Sequence, residues 1–359
     1  MKFIHVVGTR PNFMKLSSVI EELNKEYKNI VIHTGQHYDI NMSDIFFNDL
    51  SLSPPDYLLS IGGGSQSEDT GKCLIAISNI LEKEKPNGVI VYGDVTATLA
   101  GALAASKLHI PIIHVESGSR SFDRKMPEEI NRIIVDNIAD ILLCCDEESV
   151  ENLSNEGINE NVFMVGNTAI DTFKKIYNTV GESPYTNKFV LCTLHRPFNV
   201  DNIKTLKTII TKLGEIPYPI IFPIHPRTLK TLKQLFPLPT NIKLIDPLGY
   251  KDFITHLKYS EFVISDSGGV QSECAAIGKR IITIRPTTEH ILSVKVGANI
   301  LCKNPTIMTP NMWESPVPQY STPFVWDGNS AKRIKEIIKK YYKKTYTFNP
   351  DIPILNKNI

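Results

Sequence analysis

GVIVYGDVTATLAGALAASKLHIPIIHVESG, residues 88–118, holds two runs that are apolar throughout, Val89–Tyr92 and Ile110–Val115. Between them lies a stretch of small, helix-forming residues. A strand without polar alternation is one covered on both faces, and such strands belong to parallel sheets flanked by helices. The segment therefore reads as strand, helix, parallel strand. Upstream the pattern recurs in Phe3–Val7 and Ile30–Thr34, and downstream in Ile141–Cys144 and Val162–Val165. It starts again in Phe189–Thr193, Ile220–Pro223, Ile242–Ile245, Phe262–Ser265 and Ile281–Ile284. Alternation repeated this often predicts an α/β protein with two doubly wound, Rossmann-like domains. The segment Lys174–Asn187 is polar, carries Gly181 and Pro184, and has no strand signal, so the joint is placed there. The expected domains are residues 1–173 and 174–330, with a C-terminal helix and tail over 331–359. Within that tail, Ala331–Lys344 is basic and amphipathic, which reads as a solvated helix face.

Composition narrows the function. A chain of 359 residues suits two domains, and 42% hydrophobic with 21% charged residues is ordinary for a globular protein. The net charge of +1 lacks the basic excess of a nucleic-acid binder. No apolar run approaches the roughly 18 residues of a membrane span. The opening MKFIHVVGTRP reads as a first buried strand entering a turn rather than a leader peptide. None of the 6 cysteines has CxxC spacing, which points to buried thiols in a reducing cytoplasm. The chain has no GxGxxG after a strand, no GxxxxGK[ST], no HExxH and no Cys/His cluster, so no cofactor and no metal are expected. Gly62–Gly64 reads as a flexible loop without a helix-opening context.

Two buried strands end in a carboxylate. Val89–Tyr92 runs into Gly93–Asp94, with Thr96 and Thr98 opening a helix, and Ile110–Val115 runs into Glu116–Ser117–Gly118. Ligands of open α/β sheets bind beyond the carboxyl ends of the strands, so both acids stand where acid/base work is done. Glu128 follows at a helix start, after Pro127. A basic set accompanies them. Gly8–Thr9–Arg10–Pro11 turns from strand into helix and brings Arg10 and Lys15 to a helix N-terminus suited to an anion. Ser265–Asp266–Ser267–Gly268–Gly269 does the same in the second half, with Glu273 placed to accept bonds from ribose hydroxyls. His195–Arg196 and His225–Pro226–Arg227 end two further strands.

The motifs GTRPNFMK, TGQH, YGDVTATLAG, HVESGSR, MPEEINR, VGNTAID, TLHRP, IHPRT and SDSGGVQSE occur in this order. In that order they resemble the non-hydrolysing UDP-N-acetylglucosamine 2-epimerases, from Gly8 to about Gly297. The stretch His37–Ser65 is similar to the branch of UDP-2,3-diacetamido-glucuronate 2-epimerases. The resemblance implies a glycosyltransferase-B type fold with the nucleotide sugar in the interdomain cleft, sugar and acid/base groups on the N-terminal side and UDP on the C-terminal side. It implies inversion at C2 of a UDP-linked acetamido sugar, UDP-GlcNAc to UDP-ManNAc, by anti elimination and re-addition of UDP. By motif position, Asp94, Glu116, Glu128 and His195 resemble the catalytic groups. Arg10, Lys15, Phe253, Ser267, Gly268, Gly269, Glu273 and His290 match substrate-binding positions, with Phe253 at the uracil. A cytoplasmic homodimer serving surface-polysaccharide synthesis is implied as well, with no nucleic-acid or membrane partner.

The chain departs from the family pattern at five places. Asn12 stands where GTRPE has Glu, Phe198 where HRxEN has Glu, and Ser272 where DSGGxQEE has Glu. His290 replaces an Arg expected at phosphate, and the charge of a histidine depends on pH. Gly62–Asp69 lacks the Arg/Gln-rich patch through which many members bind a second, activating UDP-sugar. Three readings follow. One is a UDP-acetamido-sugar 2-epimerase, with plain or diacetamido-glucuronate substrate. Another is a UDP-releasing, glycal-forming or glycosyltransferase-like enzyme on the same fold. The third is a non-catalytic nucleotide-sugar binder.

Overall fold

A computed structural model describes residues 1–35, 49–50, 52–320 and 322–346. Strands β1 (Lys2–Val7), β2 (Lys28–His33), β3 (Tyr57–Leu58), β4 (Gly88–Tyr92), β5 (Ile112–Ser117), β6 (Ile141–Cys144) and β7 (Val162–Met164) form one sheet. Their order is β3-β2-β1-β4-β5-β6-β7. Strands β8 (Val190–Thr193), β9 (Ile220–Pro223), β10 (Ile242–Ile245), β11 (Val263–Ser265), β12 (Ile281–Ile284) and β13 (Asn299–Cys302) form a second. Its order is β10-β9-β8-β11-β12-β13, and all pairings in both sheets are parallel. Each sheet is therefore wound outward in both directions from its first strand, as in Rossmann-like domains. The strand order reverses between β1 and β4 and again between β8 and β11, and such switch points are where α/β sheets take ligands.

Among the described residues, Pro55–Asp171, the N-terminal segment and the chain from Gly328 onward make one compact unit, and Thr172–Asp327 most of the other. Each unit has its own core. In the first, Ile4, Val6, Ile32, Val89 and Val91 are buried against Ile77, Leu81 and the alanines of the helix Thr96–Lys107. That helix is buried on nearly every side, with Ala97, Ala100, Gly101, Ala104 and Ala105 inward. Its small residues let it lie flush on β1. A Cβ on Gly101 would come within 3.1 Å of Val6. In the second unit, Val190, Phe222, Ile264 and Ile282 pack against Leu206, Ile209 and Leu213.

Two edge strands, β3 and β13, carry no signal in the sequence reading. Tyr57–Leu58 is too short for a pattern, and Asn299–Cys302 begins with a polar residue. The expectation of no helix-opening context at Gly62–Gly64 is corrected. The helix Gln66–Glu84 starts directly after it, closed by a capping box in which Glu68 N–H donates to Ser65 Oγ and Ser65 N–H to Glu68 Oε2. The final helix, Ser330–Tyr346, packs on the first unit. Ile334, Ile338 and Tyr342 are buried, Tyr342 donates to the Asn87 carbonyl, and Lys335 pairs with Glu22 at 2.6 Å. Its basic face is thus partly neutralised by the helix Arg10–Leu23 rather than wholly solvated. No described helix is long and apolar enough to cross a membrane.

Candidate active site

In the first unit the expected residues gather at the switch point. β1 leads through Gly8–Thr9 into the helix Arg10–Leu23, and Asn12 organises that turn. Its Oδ1 accepts from Gly8 N–H and Thr9 N–H, each at 3.1 Å, and its Nδ2 donates to the Tyr92 carbonyl at 3.0 Å. An amide can accept at one atom and donate at the other while uncharged, which suits Asn at this buried position. These two N–H groups are therefore satisfied within the turn. Arg10 is exposed, whereas Lys15 Nζ lies 2.6 Å from Glu116 Oε2. Burial alone would lower the Lys15 pKa, but Glu116 and Asp94 outweigh it and the ammonium is held above its ordinary value.

The carboxylates are set by backbone devices. Asp94 follows Gly93, whose φ of +64° makes the sharp exit from β4. Asp94 Oδ2 accepts from Arg132 Nε at 2.9 Å and Nη2 at 2.5 Å. Glu116 has φ +70°, a left-handed value that costs a non-glycine residue about 1–3 kcal/mol. The pairing of β5 with β6 slips between Val115 and Ser117, so Glu116 sits on a β-bulge that re-aims its side chain. Each carboxylate thus faces its own cation through one oxygen, while Asp94 Oδ1 and Glu116 Oε1 bond nothing among the described residues. Glu128, on the first turn of the helix Pro127–Ile138, is half-buried and has no partner among the described residues. Its neighbour Glu129 is buried instead. It accepts from Ser121 N–H, Phe122 N–H and Arg132, fixing the loop before the helix.

The second unit builds a different kind of site. His195 follows β8 by two residues, and β11 is followed directly by Asp266, which is fully buried. Asp266 accepts from the His195 and Arg196 N–H groups and from Asn199 Nδ2, and its Oδ1 is 3.3 Å from His195 Nδ1. Burial, reinforced by Arg196 and His225, lowers the His195 pKa despite Asp266. Nδ1–H then points to the carboxylate, leaving Nε2 as the free edge. Ser267 stands at the N-cap position of the helix Gly268–Ala276 without a side-chain cap bond, and the first N–H groups of that helix have no intrahelical acceptor. A Cβ on Gly269 would meet nothing within 4 Å, so the helix start is open on that side, whereas one on Gly268 would come within 3.0 Å of Glu289 Oε1 and His290 Nε2.

His290 and Ser272, two separate departures in sequence, touch each other, with Ser272 Oγ 2.9 Å from His290 Nδ1. The two departures from the family pattern thus meet in one hydroxyl–imidazole bond. Gln271, Thr288, Ser293 and Asn299 form a buried network that fixes the His290 loop on this helix. Glu273 accepts from Tyr250 Oη at 2.7 Å. Its pKa is pushed up to about 7 by burial, which outweighs Tyr250 and His290. Phe253 is half-buried, three residues after Tyr250 on the same helix face. Phe198 is exposed.

Sequence reasoning missed Arg132, Asp266 and Tyr250, which hold Asp94, His195 and Glu273. Their motifs, MPEEINR and SDSGG, contained the first two, but partners tens of residues apart leave no spacing signal. The described residues include no cluster of three His, Cys, Asp or Glu able to hold a metal. Residues 37–48 of the branch-specific stretch lie outside the described residues.

A family profile described as UDP-N-acetylglucosamine 2-epimerase matches residues 21–339. The UDP-N-acetylglucosamine 2-epimerase of Methanocaldococcus jannaschii is 44% identical, over 94% of this chain and 99% of that protein. The UDP-2,3-diacetamido-2,3-dideoxy-D-glucuronate 2-epimerase of Pseudomonas aeruginosa is 42% identical, over 84% of this chain and 88% of that one. The crystal structure of the M. jannaschii enzyme in complex with UDP-GlcNAc and UDP superposes with a TM-score of 0.79, covering 95% of this chain and all of that one. With two Rossmann-like units of glycosyltransferase-B type and carboxylates at a switch point, this chain belongs to the UDP-N-acetylglucosamine 2-epimerase family.

Proposed function

We propose that the protein is an isomerase that inverts C2 of a UDP-linked N-acetylhexosamine, interconverting UDP-GlcNAc and UDP-ManNAc. The observation that carries this reading is the pair of carboxylates at the ends of β4 and β5, each held by a cation and each with one open oxygen. A C2 proton is weakly acidic, so its removal is coupled to departure of the diphosphate from C1. The C2–H pair becomes the C1–C2 double bond of a glycal, and the C1–O pair leaves with UDP. Re-addition of UDP and protonation from the opposite face complete the inversion.

Opposite faces need separate proton carriers, and Asp94 and Glu116 supply them, with Glu128 available to the sugar. Stabilisation of the departing diphosphate falls to the Ser267–Gly268–Gly269 helix start, His195, Arg10 and His290. Glu273 binds ribose and Phe253 the uracil. The free thiols of all 6 cysteines support a reducing, cytoplasmic setting, and the assembly is a homodimer, which sedimentation measures directly.

The near-equal identity to the P. aeruginosa relative favours a second substrate reading, UDP-2,3-diacetamido-glucuronate, handled by the same chemistry. Proton NMR in D₂O tests both. Deuterium at C2 together with the manno epimer is expected from one of the two UDP-sugars. Accumulation of free UDP with a glycal, or no exchange with either substrate, rejects the epimerase reading.

A further inference from the structure

One buried charged cluster has no part in the chemistry above. His114 lies in β5, fully buried, with Nδ1 2.7 Å from Asp136 Oδ1 and Nε2 2.8 Å from the Gly93 carbonyl oxygen. The carbonyl can only accept. Asp136 is held below its ordinary value, because His114 and Arg120 outweigh the opposing effect of burial. A neutral imidazole has one N–H and one bare nitrogen, so either tautomer would set a lone pair against an oxygen at under 3 Å. Only an imidazolium donates on both sides.

The remaining contacts balance the charge. Asp136 Oδ2 accepts from Gly118 N–H at 3.1 Å and Arg120 Nη1 at 2.7 Å, and Arg120 is paired on its other edge with Glu156. Two cations meet two carboxylates, the condition under which buried ions persist. On β6, the Cys144 thiol is pushed up to about 12, first by burial, and so stays neutral beside them.

What this cluster grips is informative. Gly93, with φ +64°, immediately precedes Asp94, and Gly118, with φ +80°, follows Glu116 by two residues. Both are left-handed positions, and each turn is tied to the same His114–Asp136 pair. We propose that His114 and Asp136 are positioning residues, His114 as a standing imidazolium, which together lock the two turns carrying Asp94 and Glu116. The separation of the two carboxylates is then set by one buried ion pair rather than by Lys15 or Arg132. The positioning role rests on the epimerase reading, but the charge state does not.

The test has two arms. In ¹⁵N-histidine NMR at about pH 7, with the resonance assigned by its loss in His114→Gln, both His114 nitrogens should be protonated. A bare ring nitrogen at about pH 7 overturns the charge assignment, whether or not any sugar is turned over. In the second arm, His114→Gln and Asp136→Asn should lower C2 exchange roughly ten- to a hundredfold, as expected of a small misplacement. UDP affinity, read on the second unit, should stay within about twofold, and an unchanged amide spectrum of the first unit is the check on its folding. A variant that binds UDP and exchanges at the wild-type rate removes the positioning role. Wild-type protein that exchanges no substrate proton would instead reject the epimerase reading, leaving the NMR result to decide the charge.

Discussion

The two units hold their functional groups by opposite means. In the first, charges are paired: Asp94 with Arg132, Glu116 with Lys15, His114 with Asp136. In the second stand open helix N–H groups, a histidine seated on a buried aspartate and a hydroxyl–imidazole pair. Carboxylates that exchange protons must keep a fixed place through two protonation states, and ion pairs and strained turns do that. An anion that leaves and returns needs donors that are already oriented and need not reorganise. The difference teaches that proton transfer and leaving-group binding are separable here, and mutations should split them.

The sharpest split comes from Asp94→Asn set against His195→Ala. The first should lower C2 exchange by about 10³-fold, within the usual worth of a general acid or base, while UDP affinity stays within roughly tenfold. His195→Ala should lose both rate and UDP affinity. Isotope exchange and calorimetry measure the two quantities, and normal turnover by Asp94→Asn would remove it from the chemistry. Lys15→Met comes next. Its ion pair with Glu116 places it on the proton-transfer side, so the rate should fall about 10- to 100-fold with UDP affinity little changed. A selective loss of UDP affinity would move Lys15 to the anion side and blur the comparison.

Smaller effects test the second unit. In a cycle of Ser272→Glu, His290→Arg and the double variant, the two sites should couple by about 0.5–3 kcal/mol in UDP affinity, the pair being better than the singles predict. Additive effects would mean that the contact has no energetic content. The smallest expected signal is in stability. Glu273 ionises near 7 when folded and near 4.5 when unfolded, so the folded state holds the extra proton between those values. Stability from this group is therefore present at low pH and declines as pH rises from about 4.5 to 7. Glu273→Gln should gain a few degrees in melting temperature relative to wild type at about pH 8 and little at about pH 5. The reverse trend would contradict the buried-carboxyl assignment.

Much of this was legible in the sequence, and the remainder was hidden for physical reasons. The apolar runs located the inner strands because both faces of a parallel sheet are covered. Turn residues at the strand ends located Asp94, Glu116, His195 and the Gly268–Gly269 helix start. Edge strands Tyr57–Leu58 and Asn299–Cys302 escaped, being half-covered and short. The structural part of Glu129 was hidden too, since helix phase alone turns it inward and leaves Glu128 half-buried. The left-handed backbone of Glu116 has no sequence signature, because non-glycine residues take that conformation only where tertiary structure demands it. The contact between Ser272 and His290, 18 residues apart, was hidden for the same reason.

The placement of the helix Ser330–Tyr346 has a consequence for the order in which the molecule is made. Its Tyr342 ring packs edge-on against Phe3, and its first turn is tied to Asp171 through Ser330 Oγ and Ala331 N–H. The first unit to be translated is thus the last to be finished, since part of its hydrophobic cover emerges only after the entire second unit. During synthesis Phe3 and the face of the helix Arg10–Leu23 must wait unshielded, which is the kind of surface that recruits chaperones.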